Sequence, residues 1–177
     1  ANRVRSVTTA CVFGAGGGIG AALVDALAAR PDITQVIAAS RNPAVAGPKV
    51  VPVACDVTDE AAVVRVAAIM ADDPPGIVIV ATGALHFADG TGPEKSIRAL
   101  DAERMQQLFA LNTIAPAIIA KHVLPLQPRD RRSVFAVLSA RVGSIGDNRL
   151  GGWHSYRASK AALNMLVRNF AIELARS

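Results

Sequence analysis

A tyrosine and a lysine stand four residues apart in HSYRASK (154–160). On a helix that spacing puts Tyr156 and Lys160 on one face. A free phenol, with a pKa near 10, exchanges protons poorly at neutral pH. An ammonium roughly 4 Å away contributes about 4 kcal/mol at an effective dielectric of 20, worth about three pKa units. That brings the phenol to where it can both give and take a proton, with burial opposing the shift. An isolated YxxxK pair is common on helix surfaces, so the pair needs company before it means chemistry.

Two further residues supply that company. Ser139 ends the apolar run SVFAVLS (133–139), ahead of the helix that carries Tyr156. Asn112 lies mid-helix beside Pro116, where a freed carbonyl and an amide can hold a water. Separately, Ser139 is equally a strand-end turn serine and Asn112 a solvated helix residue. Their joint occurrence, in this order and on these elements, is what gives the pair weight.

The elements that must position these groups alternate along the chain. Strands are expected at 7–13 (VTTACVF), 34–40, 49–55, 76–84 and 133–139, each an apolar or β-branched run. Pro52 places the third at an edge. Helical spacing occupies 21–30 up to Pro31, a stretch capped by Asp56 or Thr58 through about Met70, a long helix from Ala102 to Leu124 kinked at Pro116, and 154–176. Five strand–helix alternations make an α/β, doubly wound Rossmann-type parallel sheet of at least five strands, order 3-2-1-4-5, with helices on both faces. Residues 1–177 form one domain, and ligands belong at the carboxyl ends of its strands, which puts Ser139 on the rim of the first strand's loop.

That loop is GAGGGIG (14–20), with a strand before it and a helix after it. Gly14, Gly18 and Gly20 fit one register; Gly16, Gly18 and Ala21 fit another. In either, glycines let the backbone approach a pyrophosphate, and a helix N-terminus supplies N–H groups and positive dipole. No Lys-Ser/Thr pair follows, so it is not a nucleotide-hydrolysing phosphate loop. The end of the second strand reads Ala39-Ser40-Arg41, with no acid to accept ribose hydroxyls. Arg41, helped by Ser40, can face a 2′-phosphate instead, its plain alternative being a solvated loop arginine, so NADP(H) is preferred and NAD(H) possible. Asp56 either accepts from an adenine amino group or caps the next helix.

Composition narrows the class. The 177 residues are 51% hydrophobic and only 4% aromatic, as expected of a sheet buried on both faces. A net charge of +5 and a pI near 9.9 invite a nucleic-acid reading. The basic residues are scattered, however, and Arg129-Asp130-Arg131-Arg132 has no aromatic residues to stack on bases. Cys11 and Cys55 match no metal spacing and are expected as buried thiols; the three histidines, His86, His122 and His154, form no metal site. Ala1–Arg5 with the apolar run beyond imitates a signal peptide, but Thr8, Thr9 and the glycines favour a first strand. No segment is expected to reach transmembrane length, and a soluble cytoplasmic protein is the default.

From about Ser6 onward the chain resembles the short-chain dehydrogenase/reductase family. Gly14–Gly20 is similar to its TGxxxGIG loop, with Phe13 where Thr is usual, and Ala81-Thr82-Gly83-Ala84 stands where the family has NNAG. LNTIAP (111–116), Ser139, Tyr156 and Lys160 match its catalytic tetrad. SARVGSIGDNRLGGWHSYRASKAALN (139–164) resembles the C-factor-like bacterial subgroup, whose serine and tyrosine are further apart than usual. The resemblance implies that Tyr156 donates the proton, Ser139 polarises a carbonyl, Lys160 holds the nicotinamide ribose and tunes Tyr156, and Asn112 anchors a relay water. It implies cofactor contacts at Gly14, Gly16, Gly18, Ile19, Gly20, Ser40, Arg41, Asp56, Val57, Thr82 and Gly83, besides Tyr156 and Lys160. Family members continue for two more strands and a substrate lid beyond the position of Ser177. The implied activity is NADP(H)-dependent carbonyl reduction or alcohol oxidation on a small molecule, without metal, nucleic acid or membrane. A dinucleotide-binding signalling or regulatory protein without turnover is the alternative. The last helix has apolar residues on more than one face, one for the sheet and one for a second copy, hence a homo-oligomer. Trp153 is expected near substrate, or as a packing anchor under its Gly-rich loop.

Overall fold

The computed structural model describes residues 8–43, 46–87 and 89–176. Val7, expected at the head of the first strand, lies outside the described residues, as do Ala1–Arg5. The chain divides into two compact units, one of Ala1–Thr82 with Ile118–Val137, the other of Gly83–Ala117 with Leu138–Ser177.

The first unit holds a five-stranded sheet. Its strands are β1 (Thr8–Phe13), β2 (Ile33–Ser40), β3 (Val50–Ala54), β4 (Ile77–Val80) and β5 (Val134–Val137). All described pairings are parallel and the order is β3-β2-β1-β4-β5, as expected. Cys11 at the centre sits opposite Ile37 on one side and Val78 on the other. Pro52 lies on the edge strand β3, where bonds are needed on one side only.

Alternation along the strands explains why nearly every residue is apolar. Helix α1 (Gly18–Ala28) lays Leu23, Val24, Leu27 and Ala28 on Ala10, Val12, Val36, Ala38, Ile77 and Ile79. The other strand face, with Phe13, Ile37, Ala39 and Val80, is equally shut off from solvent. A sheet sealed on both sides has no polar face to show. Cys11 and Cys55 are buried free thiols; burial pushes the first well above its usual pKa and the second to about 11.

Helix α2 (Glu60–Met70) is capped by Asp59, whose carboxylate accepts from the Ala61 N–H. Asp56 and Thr58, the expected caps, instead form a turn one step earlier. Asp56 Oδ1 accepts from the Thr58 N–H at 2.9 Å and from its hydroxyl at 2.7 Å. Glu60 opens α2 and accepts from Lys121 at 2.7 Å, with His122 Nε2 at hydrogen-bond distance, 2.8 Å, so His122 has a partner and is only part-exposed.

The expected single helix over 102–124 is three pieces: α3 (Ala102–Phe109), a π turn (Ala110–Ile114) and α4 (Ala115–Val123). Pro116 has no N–H to offer the carbonyl four residues back, which is that of Asn112. The backbone answers upstream with a wider turn, in which the Ala115 N–H reaches the Ala110 carbonyl. Contrary to the sequence expectation, Ala102–Leu126 is long and apolar enough to cross a membrane by length and composition. Its most apolar window is 44% buried in the protein, and the wholly buried Asn112 has the hydrogen bonds of a core helix residue. Helix α5 (His154–Leu174) closes the second unit, following Gly151, Gly152 and Trp153, all at positive φ.

Candidate active site

In the first unit, the loop after β1 shows which glycines are obligatory. Gly14 turns at φ +85°, and both Gly14 and Ala15 donate to the Ala39 carbonyl. A Cβ on Gly20 would stand 2.0 Å from the Gly14 carbonyl oxygen, so the helix can meet the turn only through glycine. These two positions select the Gly14/Gly18/Gly20 register. Gly18 has open space where a Cβ would be, and Ile19 is 65% exposed. The α1 N-cap, Gly17, offers no side-chain cap, which leaves the first-turn N–H groups without a side-chain acceptor. An uncapped helix start fronted by small exposed residues fits a diphosphate. Against the same loop, Thr82 Oγ1 is buried with no hydrogen-bond partner, and a Cβ on Gly14 would press its methyl at 2.9 Å.

At the end of β2, the buried Ser40 donates its hydroxyl to the Asn42 carbonyl at 2.9 Å, leaving the exposed Arg41 as the charged group. The Asp56 carboxyl lies below its usual pKa, held there by the Thr58 hydroxyl and N–H, with Arg41 adding to the effect. Val57 is buried beside it.

The second unit gathers the four expected chemical residues. Asn112 in the π turn is wholly buried and its amide is fully engaged. It accepts from the Ala84 N–H at 2.8 Å, and its Nδ2 donates to the Ala84 carbonyl at 2.9 Å and to Ser159 Oγ at 3.1 Å. Ser159 in turn donates to the Tyr156 carbonyl at 2.8 Å. Lys160 is buried to 4% exposure and donates Nζ to the Leu138 carbonyl at 2.9 Å. Gly83 lies where a Cβ would be 3.2 Å from both Asn112 Oδ1 and Lys160 Nζ. Ser139, two residues past the end of β5, donates its hydroxyl to Asn164 Oδ1 at 2.6 Å.

Electrostatics here run against the simple sequence argument. Burial raises Tyr156 above its usual value, and burial lowers Lys160. Desolvation by the folded surroundings sets the direction at both groups. The Trp153 ring meets the Tyr156 ring edge-on, centroids 6.5 Å apart and planes at 68°. His154 and His86 join no group of three metal-ligating side chains among the described residues. Asn164 and Ser159 escaped the sequence reading. Asn164 continues the 156/160 spacing by one more turn, so extending that face would have found it.

The family model for short chain dehydrogenase matches residues 8–177. The chain belongs to the short-chain dehydrogenase family. Among its curated relatives, the 1-hydroxy-2-glutathionyl-2-methyl-3-butene dehydrogenase of Rhodococcus sp. is 36% identical over 45% of this chain and 34% of its own length. The C-signal protein of Myxococcus xanthus is 35% identical over 42% of this chain and 45% of its own length. The matches thus span a third to under half of these two relatives. An NADPH-bound carbonyl reductase from chicken fatty liver superposes with a TM-score of 0.77 at 28% identity, covering 94% of this chain and 71% of that one. As a short-chain dehydrogenase, the chain belongs to an oxidoreductase family on a dinucleotide-binding fold, with a C-signal protein among the relatives it resembles.

Proposed function

We propose that the chain carries the catalytic machinery of an NADP(H)-dependent carbonyl reductase or alcohol dehydrogenase, with Tyr156 as its proton donor and acceptor. The observation that carries this reading is that Asn112, Ser139, Tyr156 and Lys160 lie in one unit, with Asn112 tied through Ser159 to the Tyr156 carbonyl, Lys160 Nζ held on the Leu138 carbonyl and Ser139 on Asn164. The likeness to an NADPH-bound carbonyl reductase supports it. When bound, the nicotinamide exchanges a hydride with the substrate's carbonyl carbon.

The residues divide the remaining work. Tyr156, held neutral by burial, is the acid that gives its proton to the carbonyl oxygen. Ser139 turns its hydroxyl from Asn164 to that oxygen and polarises it. Lys160 holds the ribose and, with its ammonium, steadies the phenolate left behind. Because the Asn112 amide is already committed to Ala84 and Ser159, its carbonyl, which Pro116 cannot cap, is the group that anchors the relay water. The loop at Gly14, Gly18 and Gly20 takes the pyrophosphate, Thr82 and Gly83 line the cofactor, and Arg41 takes the 2′-phosphate.

The test is titration of the full-length protein with NADPH and NADH, followed by turnover on a panel of carbonyl compounds with and without Tyr156→Phe. The expected result is preferential NADPH binding and loss of turnover by about 100-fold or more in the variant. Absence of binding to either nucleotide refutes the reading. Binding without any turnover favours a regulatory protein of the C-signal kind.

A further inference from the structure

Helix α5 begins without a cap of its own. The residue at its N-cap, Trp153, is left-handed (φ 52°, ψ 43°) and supplies no side-chain acceptor. It completes a run of positive φ values with Gly151 at 62° and Gly152 at 65°, in which the Gly151 N–H is tied locally to Asn148 Oδ1 at 3.0 Å. The missing acceptor arrives from 61 residues upstream. The Glu94 carboxylate takes the Ser155 N–H at 3.2 Å on one oxygen and the Ser155 hydroxyl on the other. The Glu94 backbone carbonyl takes the Trp153 N–H at 2.5 Å. Both Glu94 and Ser155 are buried, at 5% and 0% exposure.

Burial alone would push the Glu94 carboxyl up. The Ser155 hydroxyl, backbone N–H groups and the nearby His154 more than offset it and leave Glu94 below the usual carboxylate value. A buried charge held at a helix N-terminus is aligned with the positive end of the dipole. A surface side chain would serve as a cap more cheaply, so its burial calls for a purpose. The two residues it grips are those that set Tyr156: Ser155 is its backbone neighbour, and Trp153 packs edge-on against its ring.

We propose that Glu94 is a positioning residue, which aims the Tyr156 phenol by clamping Ser155 and Trp153 from outside α5. The proposal rests on Tyr156 being the proton donor. In this role Glu94 acts through Ser155 and Trp153, limiting how far the first turn of α5 can tilt. A misplacement of an ångström in a reacting group costs up to about a hundredfold in rate.

The test compares Glu94→Ala, Glu94→Gln, Ser155→Ala and the double variant Glu94→Ala/Ser155→Ala in the full-length protein, with Tyr156→Phe alongside. Gln keeps one acceptor oxygen and so one of the two Ser155 bonds. Expected are a kcat lowered by about tenfold or more in Glu94→Ala and by less in Glu94→Gln, with the KM for NADPH unchanged. Ser155→Ala should add little once Glu94 is gone. Emission from Trp153, the only tryptophan, should shift in Glu94→Ala and return partway in Glu94→Gln. A wild-type kcat in Glu94→Ala overturns the proposal, and so does a loss of kcat accompanied by an equal loss of NADPH affinity. If Tyr156→Phe keeps its turnover, the proton-donor reading has failed instead. Trp153 emission then judges the clamp alone, and an unshifted spectrum in both Glu94 variants refutes it.

Discussion

Ser139 gives its hydroxyl proton to Asn164 Oδ1 at 2.6 Å, and Asn164 Nδ2 reaches on to the Gly143 carbonyl at 3.4 Å. The serine we propose to polarise a substrate oxygen is therefore parked, until a substrate claims its hydroxyl, on a residue one turn beyond Lys160. Removing that partner should leave the hydroxyl free to rotate. Asn164→Ala is expected to cost about 1 kcal/mol of transition-state stabilisation, or about fivefold in kcat/KM, with NADPH binding unchanged. Steady-state kinetics on the best carbonyl substrate check this, and an unaffected kcat/KM removes Asn164 from the site.

Tyr156 is the only tyrosine in the sequence, so phenolate absorbance reports on it alone. Burial raises its folded pKa above the ordinary 10.0. The cofactor-free protein should accordingly titrate above that value, and NADP+ should bring the midpoint down through its positive ring. The sign carries over to stability. A raised folded value means that the neutral phenol's contribution is present below the unfolded pKa and is lost as pH rises through the folded one. A midpoint below 10.0 in the cofactor-free protein would show that the Lys160 ammonium prevails after all.

Two glycines of one loop should fail in opposite ways. Gly20→Ala drives a methyl into the Gly14 carbonyl and should destabilise the fold by about 3 kcal/mol or more, read from denaturant unfolding. Gly18→Ala meets nothing within 4 Å and should leave the unfolding midpoint in place. It should instead weaken NADPH binding by about tenfold or more, because the methyl occupies the phosphate's approach.

Arg41 is the residue we propose for the coenzyme choice. Arg41→Ala should weaken NADPH by about ten- to a hundredfold, the worth of about 1.5–3 kcal/mol for charged hydrogen bonds, and leave NADH nearly unchanged. Equal losses for both nucleotides would move the 2′-phosphate contact elsewhere.

Sheet order and strand placement were legible because a sheet sealed on both faces demands continuous apolar runs, and 76–84 or 34–40 can be little else. The candidate face was legible because helical spacing is a local rule, and it placed Tyr156 and Lys160 on one helix, which α5 is, without knowledge of the fold. Local rules also set the limits. Pro116 announced a distortion, but the π turn lies upstream at Ala110–Ile114, ahead of the proline that has no N–H for the Asn112 carbonyl. The capping residue proved to be Asp59 because the Thr58 groups had already claimed Asp56. Glu94 gave no signal at all, being one acid in a polar stretch whose meaning depends on a partner 61 residues away. The Tyr156 shift was misjudged for a related reason. Coulomb's law can be applied to a spacing, whereas desolvation belongs to the folded surroundings.

Cys11 and Cys55 are the chain's only cysteines, both inaccessible and both held as thiols far from ionisation. Thiolate is the reactive form, so neither should compete for an electrophilic probe while the protein is folded. These 177 residues are thus a silent background for labelling. A single cysteine introduced at Ile145 or Leu150, 84% and 91% exposed, would be the one handle for a fluorophore or spin label. No cysteine-free parent would have to be made first, and unfolding would announce itself by the sudden appearance of two more reactive sulfurs.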